Sequence, residues 1–240
     1  MPADPRASGA DRLVARLAQL ETGQVSDVLD EAGLPNQVLA SHLGLLRPGA
    51  RLAGRASCVA GEPIVTAANA SPALPPDALE SVVERDTILV IGTGGFSAGS
   101  VLGGFVAFSL QLQGCAGVLT DGLIRDADEI NGLDFPVVCA GLTPLNGARR
   151  WRLTRRGDPI PLPGQTAVPV LVRPGDLILG DADGVVVVPA HAAEQVIADS
   201  EELLRIERRI GEALRSGAKR IDAFKDNPRF GHVRKAAAAP

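Results

Sequence analysis

Tyrosine is absent from the 240-residue chain, and aromatic residues make up only 3% of it. A protein that holds single-stranded nucleic acid by base stacking needs a supply of exposed rings, so that class is poorly provided for. The three cysteines, Cys58, Cys115 and Cys139, are odd in number, far apart and never in a CxxC. This argues against a disulfide framework and against a zinc ribbon. Each sits in an apolar context and reads as a small buried hydrophobe. His42, His191 and His232 are isolated, with no HxH or HExxH spacing, so a histidine-based metal site has little support. Long apolar runs are missing too: Val185–Ala190 is among the longest and is far too short to cross a bilayer. The opening MPADPRASGADR has no apolar signal core. The expectation is a cytoplasmic protein with no membrane partner.

The formal net charge of −4 excludes a chain that is basic overall, as a glove for a polyanion would be. Nucleic acid is not an expected partner. The charge is uneven, however, with ten Lys or Arg against six Asp or Glu over residues 201–240. A basic segment of this kind reads as a solvated helix face, or as one packed on an acidic neighbour.

What is present is a mixed pattern. Residues 1–9 read as a disordered leader. From Ala10, the positions Leu13, Val14, Leu17 and Leu20 follow helical spacing. TGQVSDVLDEAG predicts a second short helix, capped by Thr22 and stopped at Gly33. SCVAG and PIVTAA predict strands, and SPALPPDALE a turn into a short helix near 78–84. The next stretch is regular: strand TILVIG, Gly-rich loop TGGFSAGS, helix VLGGFVAFSLQLQG, strand AGVLTD, a turn and short helix in GLIRDADEI, and strand FPVVCAG. That order predicts parallel pairing with helices against a sheet. Beyond it, RRWRLTRRG, AVPVLVRPGD, DLILGDADG and GVVVVPA read as short β-pieces. A long amphipathic helix follows over about 191–216, and then an extended tail. The boundaries are a leader at 1–9, one α/β domain at 10–216 with a β-rich flank and a C-terminal helix, and an extension at 217–240.

Two stretches could carry chemistry. IGTGGFSAGSVLGGF lacks GxxxxGK[ST] and any acid closing a dinucleotide fingerprint, so a nucleotide site is weakly supported. Gly103 and Gly104 fall where a helix begins, and free N–H groups there can hold an anion. Equally, such glycines can serve only close helix–sheet packing. The second stretch is GVLTDGLIRDADEI, in which an Arg and four acids crowd the end of a buried strand. Ligands of doubly wound sheets bind beyond the carboxyl ends of strands. Arg125 has a planar fork suited to a carboxylate or enolate oxygen, and Asp126 a hard oxygen suited to Mg²⁺. Glu129 follows three residues later, on the same face of a helix. The plainer alternative stays open at this point. Asp121–Arg125 and Arg125–Glu129 have i, i+4 spacing and could be ordinary ion pairs, and Asp126 could simply favour a helix N-terminus.

The spacing Gly104, twenty residues, Arg125–Asp126, two residues, Glu129 resembles the signature of the RraA-like family. The surrounding LGGF, TDGLIRDADEI, DFPVVCAGLTP and RPGDLILGDADGVVVVP are similar as well, and so is VSDVLDEAG near the N-terminus. The similarity runs from about Val25 to Glu207. It implies a compact α-β-β-α sandwich, a swivelling β/β/α-type domain, assembled as homotrimers or hexamers with sites between subunits. It also implies a class II pyruvate aldolase acting on 4-hydroxy-4-methyl-2-oxoglutarate or 4-carboxy-4-hydroxy-2-oxoadipate, with oxaloacetate decarboxylase activity. By the same resemblance Asp126 is the ligand of Mg²⁺ (or Mn²⁺), and Arg125 binds substrate and stabilises an enolate. The backbone of Gly103, Gly104, Phe105 and Val106 holds the carboxylate of a small 2-oxo acid, and Glu129 acts through water. Asp30 and Glu31 would reach a neighbouring subunit's site. The family also contains non-catalytic regulators of a ribonuclease, and the founding regulator lacks the Asp of the Arg–Asp pair. A related Mg²⁺ lyase or hydrolase acting on another oxo acid is the remaining alternative.

Overall fold

A computed structural model describes residues 9–64, 72–75 and 77–237. Almost all of the expected leader, and the expected PIVTAA strand beyond Ile64, lie outside the described residues. In chain order the elements are α1 (Gly9–Leu17), α2 (Thr22–Glu31), β1 (Gly44–Leu45), β2 (Leu52–Pro63), β3 (Thr87–Gly92), β4 (Ser100–Leu102), α3 (Gly104–Leu112), β5 (Gly117–Thr120), β6 (Leu123–Ile124) and α4 (Ala127–Gly132). They continue with β7 (Val137–Cys139), β8 (Gly141–Leu142), β9 (Trp151–Arg156), β10 (Ile160–Leu162), β11 (Val170–Val172), β12 (Leu177–Asp181), β13 (Gly184–Val188), α5 (Ala193–Arg215) and α6 (Arg220–Asp226).

The main sheet runs in the order β1-β7-β5-β3-β2-β12-β13, with β9 also paired to β2. β2, β3, β5 and β7 are parallel neighbours, whereas β12 and β13 pair antiparallel. The TILVIG run is continuously apolar because β3 is covered on both sides. Ile88 and Val90 enter one core, with the β10–β11 hairpin residues Ile160, Leu162, Val170 and Val172. Leu89 and Ile91 enter a second core with Leu110 of α3 and Ile130 of α4. A third core joins Leu177, Leu179, Val186 and Val188 to α1, α2 and α5. The sheet is thus nearly closed around a β-lined interior, with helices outside both halves. This is the mixed α/β sandwich, with a C-terminal helix, that the sequence led us to expect.

The local differences have physical causes. Thr22 is not the cap of α2 but its first helical residue. Glu21 is the N-cap and forms a capping box with Gln24. Thr22 is instead tied to Asp181 at the end of β12: its N–H donates to Oδ2 at 2.8 Å and its hydroxyl to Oδ1 at 2.7 Å. The expected helix over 78–84 is a single 3-10 turn, Glu80–Val82. Val101 and Leu102, read as the start of a helix, form β4, because a parallel partner, β6, lies beside them. α5 spans Ala193–Arg215 and buries Val196, Ile197, Leu203, Ile206 and Ile210. Beyond α6 the chain returns to the body. Phe230 and Val233 pack on the third core, and Arg229 pairs with Asp27 at 2.8 Å.

The consecutive crossovers β3–α3–β5–α4–β7 put α3 and α4 on one face, where both pack into the second core. They also gather the loops that follow β3 and β5 at a single edge of the sheet.

Candidate active site

At that edge a small parallel sheet, β4-β6-β8, decides the geometry. Its pairing sets Leu102 beside Ile124, and the Arg125 N–H donates to the Leu102 carbonyl at 3.0 Å. Two segments some twenty residues apart are thereby zipped together, so that Gly103 meets the side chains of Arg125 and Asp126. A Cβ on Gly103 would lie 2.8 Å from Asp126 Oδ2 and 3.0 Å from Arg125 Nε. A Cβ on Gly104 would collide with Glu129 Oε2. A side chain at either position would have to displace the side-chain ends that face it, and the four-residue signature is one contact surface.

Asp126 has φ 61° and ψ 42°, the left-handed region, at the N-cap of α4. Asp tolerates that region better than most residues, at a cost of about 1–2 kcal/mol. No side-chain cap to α4 forms. The carboxylate instead turns to α3, where Oδ2 accepts the Gly104 N–H at 3.0 Å and lies 3.4 Å from Arg125 Nε. The first N–H groups of any helix lack an intrahelical acceptor and carry its partial positive charge. At α3 these belong to Gly104, Phe105 and Val106, the backbone named from the sequence as an anion cradle.

The plainer sequence reading fails in part. Residues 121–126 are not helical, so Asp121 and Arg125 have no i, i+4 relation. Asp121 is buried and accepts the N–H of Thr93 at 2.6 Å and of Gly95 at 3.1 Å. It clamps the Gly-rich loop to the end of β5 and is not a free carboxylate. Among the described residues, no ion pair joins Arg125 to Glu129.

A cavity of about 550 Å³ opens beside this cluster. Its wall contains Gly103, Phe105, Val106, Arg125 and Asp126, together with 146–148 and 151–153. Gly104 and Glu129 stand just outside it. Asp30 and Glu31 are exposed on α2, over the other half of the sheet, and within one chain they do not join the cavity. The contribution of Trp151 and Arg152 was not visible beforehand. RRWRLTRRG reads only as a β-piece, and the pairing of β9 with β2 that brings it here is non-local.

Among the described residues, no three His, Cys, Asp or Glu side chains converge as metal ligands. Mg²⁺ and Mn²⁺ differ from zinc in accepting one or two carboxylates and keeping several waters. One solvent-facing carboxylate, with glycines cut back around it, fits that pattern. Asp126 and Glu129, both beside Gly104, are the carboxylates that could hold such an ion.

Comparison with known proteins places this geometry in context. The family described as RraA-like, Aldolase/RraA, matches residues 22–187. A protein of Halalkalibacterium halodurans, named "Putative 4-hydroxy-4-methyl-2-oxoglutarate aldolase", is 35% identical over 48% of this chain and 52% of its own length. One of the same name from Paraburkholderia phytofirmans is 31% identical over 65% of this chain and 90% of its own. The chain spans about half the length of the first curated relatives it matches. Among solved structures, Streptomyces coelicolor RraAS2, described as an unusual member of the RNase ES inhibitor RraA protein family, superposes with a TM-score of 0.73. It is 28% identical and covers 85% of this chain and 97% of its own.

Proposed function

The chain belongs to the RraA-like family, and from that premise we propose that it is a divalent-metal-dependent carbon–carbon lyase. In this reading it is a class II aldolase that cleaves 4-hydroxy-4-methyl-2-oxoglutarate-type 2-oxo acids to pyruvate. The observation that carries the reading is the placement of the Asp126 carboxylate beside Arg125 and the N-terminus of α3, at the mouth of a cavity large enough for such an acid. The names of the relatives support a lyase of this type.

A bound Mg²⁺ or Mn²⁺ would supply Lewis-acid polarisation of the 2-oxo group. The protein's own residues do the rest. The free N–H groups of Phe105 and Val106 receive the carboxylate next to the oxo group. A base, a water held by a carboxylate, takes the proton from the C4 hydroxyl. The C3–C4 bond then breaks, leaving its electron pair on the pyruvate fragment as an enolate, and C4 departs as a carbonyl. Arg125 lies where that negative charge develops, which is where a fixed cation lowers a barrier most. Protonation at C3 releases pyruvate. Loss of CO₂ from oxaloacetate forms the same enolate, so decarboxylase activity belongs to the same proposal.

Assembly as a homotrimer or hexamer in the cytoplasm is part of this reading. Its support is the outer face of α3, where Phe105 (86%), Phe108 (45%) and Leu112 (73%) stand exposed at helical spacing. A neighbouring subunit covering that face would bring further residues to the cavity mouth, Asp30 and Glu31 among the candidates. The competing reading is a regulator of the kind to which RraAS2 is related by name; the retained Arg125–Asp126 pair favours the enzyme.

The test is pyruvate release from oxaloacetate and from 4-hydroxy-4-methyl-2-oxoglutarate, in Mg²⁺ and in EDTA, beside Asp126→Ala. Metal-dependent release that the variant loses is the expected result. No release from either acid would sink the aldolase in favour of the regulator or of a different oxo acid.

A further inference from the structure

A second cavity opens where the main sheet is incomplete. β12 pairs with β2 over residues 52–55, and β9 pairs with β2 over residues 59–63. Between them, Ala56 and Cys58 meet loops on that edge in place of a strand. The Ala56 N–H donates to the Asp176 carbonyl at 2.8 Å. The N–H groups of Gly175 and Gly157 donate to the carbonyls of Ala56 and Cys58 at 2.9 and 2.8 Å. The space beside these loops is about 540 Å³, within the range of small-molecule sites, roughly 300–1,000 Å³. It shares no wall residue with the cavity at Arg125 and Asp126. The two cavities lie at opposite ends of β9, with residues 151–153 in the wall of the first and Arg156 in the wall of the second.

Two arginines reach this space from different strands, Arg55 from β2 and Arg156 from β9. Arg55 Nη1 donates to the Gly175 carbonyl at 3.1 Å, and Arg156 Nη1 to the Ser81 hydroxyl oxygen at 3.3 Å. Gly175 and Ser81 are themselves in the wall, so both guanidinium groups stand at the cavity. Each is steadied by a neutral contact only. Neither meets a carboxylate among the described residues, whereas the half-buried Arg16, Arg152 and Arg229 each do. The other charged residue of the wall is Glu84, which is exposed, so two cations stand against one anion.

The donors of the wall decide what it can hold. Ser57, Ser81 and Thr87 line it, but their hydroxyls already donate to the carbonyls of Val82, Ala78 and Glu84 at 2.5, 3.0 and 2.7 Å. The side-chain N–H groups left over belong to the two arginines, whose forks suit carboxylate and phosphate oxygens. No aromatic ring lines the wall, so nothing there stacks a nucleobase.

We propose that this cavity is a second ligand site, which takes a small organic dianion, a phosphate monoester or a dicarboxylate, at Arg55 and Arg156. Two guanidinium groups match two negative charges, and a monoanion would leave one of them unmatched. The site is separate from the reaction, and it stands whichever acid the first cavity cleaves.

The test is calorimetric titration of the full chain with inorganic phosphate, succinate and acetate, in EDTA and a mildly alkaline, low-salt buffer in which phosphate is a dianion. Wild type should bind phosphate or succinate about tenfold or more tightly than acetate, the worth of one charge-assisted contact. The tighter of the two dianions tells a phosphate-type ligand from a dicarboxylate. Arg156→Met, a change at an exposed position, should weaken the dianion by about tenfold, and Arg55→Met by as much. Arg156→Lys should keep part of the affinity, and Glu84→Gln should raise it severalfold by removing the acid of the wall. Arg125→Met should leave it within about twofold, which separates this site from the first. Dianion binding that survives both Arg156→Met and Arg55→Met overturns the proposal. So does binding lost in Arg125→Met, which would put the anion in the reaction cavity. Equal affinity for acetate and the dianions would reduce the pair to two solvated cations, and wild type that binds none of the three anions would end the proposal as well.

Discussion

Asp126 occupies the N-cap position of α4, yet its carboxylate binds Gly104 N–H at 3.0 Å, the first amide of α3. One left-handed residue therefore couples two helix N-termini in the wall of the cavity. If that carboxylate is a metal ligand, its charge matters more than its shape. Asp126→Asn keeps the acceptor for Gly104 and tolerates the left-handed backbone. Metal-stimulated pyruvate release should fall about 100-fold, roughly 3 kcal/mol of transition-state stabilisation. The midpoint of thermal unfolding should move by no more than about 2–4 °C, the equivalent of ~1 kcal/mol at this length. Equal turnover in variant and wild type would remove Asp126 from the chemistry.

Gly103 adopts φ −139°, which any residue tolerates, so Gly103→Ala tests the space and not the backbone. The added methyl would stand 2.8 Å from Asp126 Oδ2. Turnover should drop by about tenfold or more as the carboxylate is pushed off its position. Gly23→Ala, in α2 with nothing within 4 Å of its Cβ, should leave turnover unchanged and add about 0.5–1 kcal/mol of stability. Steady-state kinetics beside thermal melts would separate the two. A Gly103→Ala enzyme with wild-type kinetics would show that the crowding is relieved without cost.

The Asp181 carboxyl is subject to opposing effects. Burial raises its pKa, but the two hydrogen bonds from Thr22, one from the Asp183 N–H and the nearby Arg51 charge outweigh it and hold the group below the usual carboxylate range. A lowered folded-state pKa contributes stability that is present above the unfolded value, about 3.9, and lost as pH falls toward the folded one. Asp181→Asn should cost about 1–3 kcal/mol at neutral pH. Its deficit relative to wild type should shrink below about pH 4. Denaturant titrations at neutral pH and in acid would measure it, and a deficit that did not change with pH would refute the ionic part of the argument.

All three thiols should be inert in the native state. Burial pushes each of them up, and Cys58, with the Asp176 charge nearby, reaches about 12. The native chain should therefore show no fast thiol with an aromatic disulfide reagent at about pH 8, and three after unfolding. Because the folded-state values are raised, this stabilisation is complete below about pH 8.5 and is lost as pH climbs toward 12. A thiol that reacts rapidly in the native chain would contradict the burial.

Much of the architecture was legible because its signals are local. TILVIG declares a strand covered on both faces, and the alternation of strand and helix from Thr87 to Cys139 allows few topologies. The Arg125–Asp126 pair and the glycines before α3 were legible as candidates, since each residue type suits one task. Where reading failed, a partner distant in the chain had decided. Val101 and Leu102 are as ready for a helix as for a strand, and β6 chose. Thr22 is a natural cap by type, but Asp181 drew its N–H and its hydroxyl elsewhere. Asp121 looked like one more acid of a cluster, and the amides of Thr93 and Gly95 took it.

The sequence by itself determined which segments are buried, in what order strands and helices alternate, and which side chains are available near the end of β5. Backbone propensity and apolar periodicity are properties of neighbouring residues, so one chain suffices to read them. Only the tertiary structure decided that Leu102 pairs beside Arg125, that the Asp126 carboxylate turns to α3, and that β9 carries Trp151 and Arg152 into the same cavity. Those contacts depend on the register between strands far apart in sequence. Register is settled by the joint burial of the whole core, a quantity that no local stretch contains.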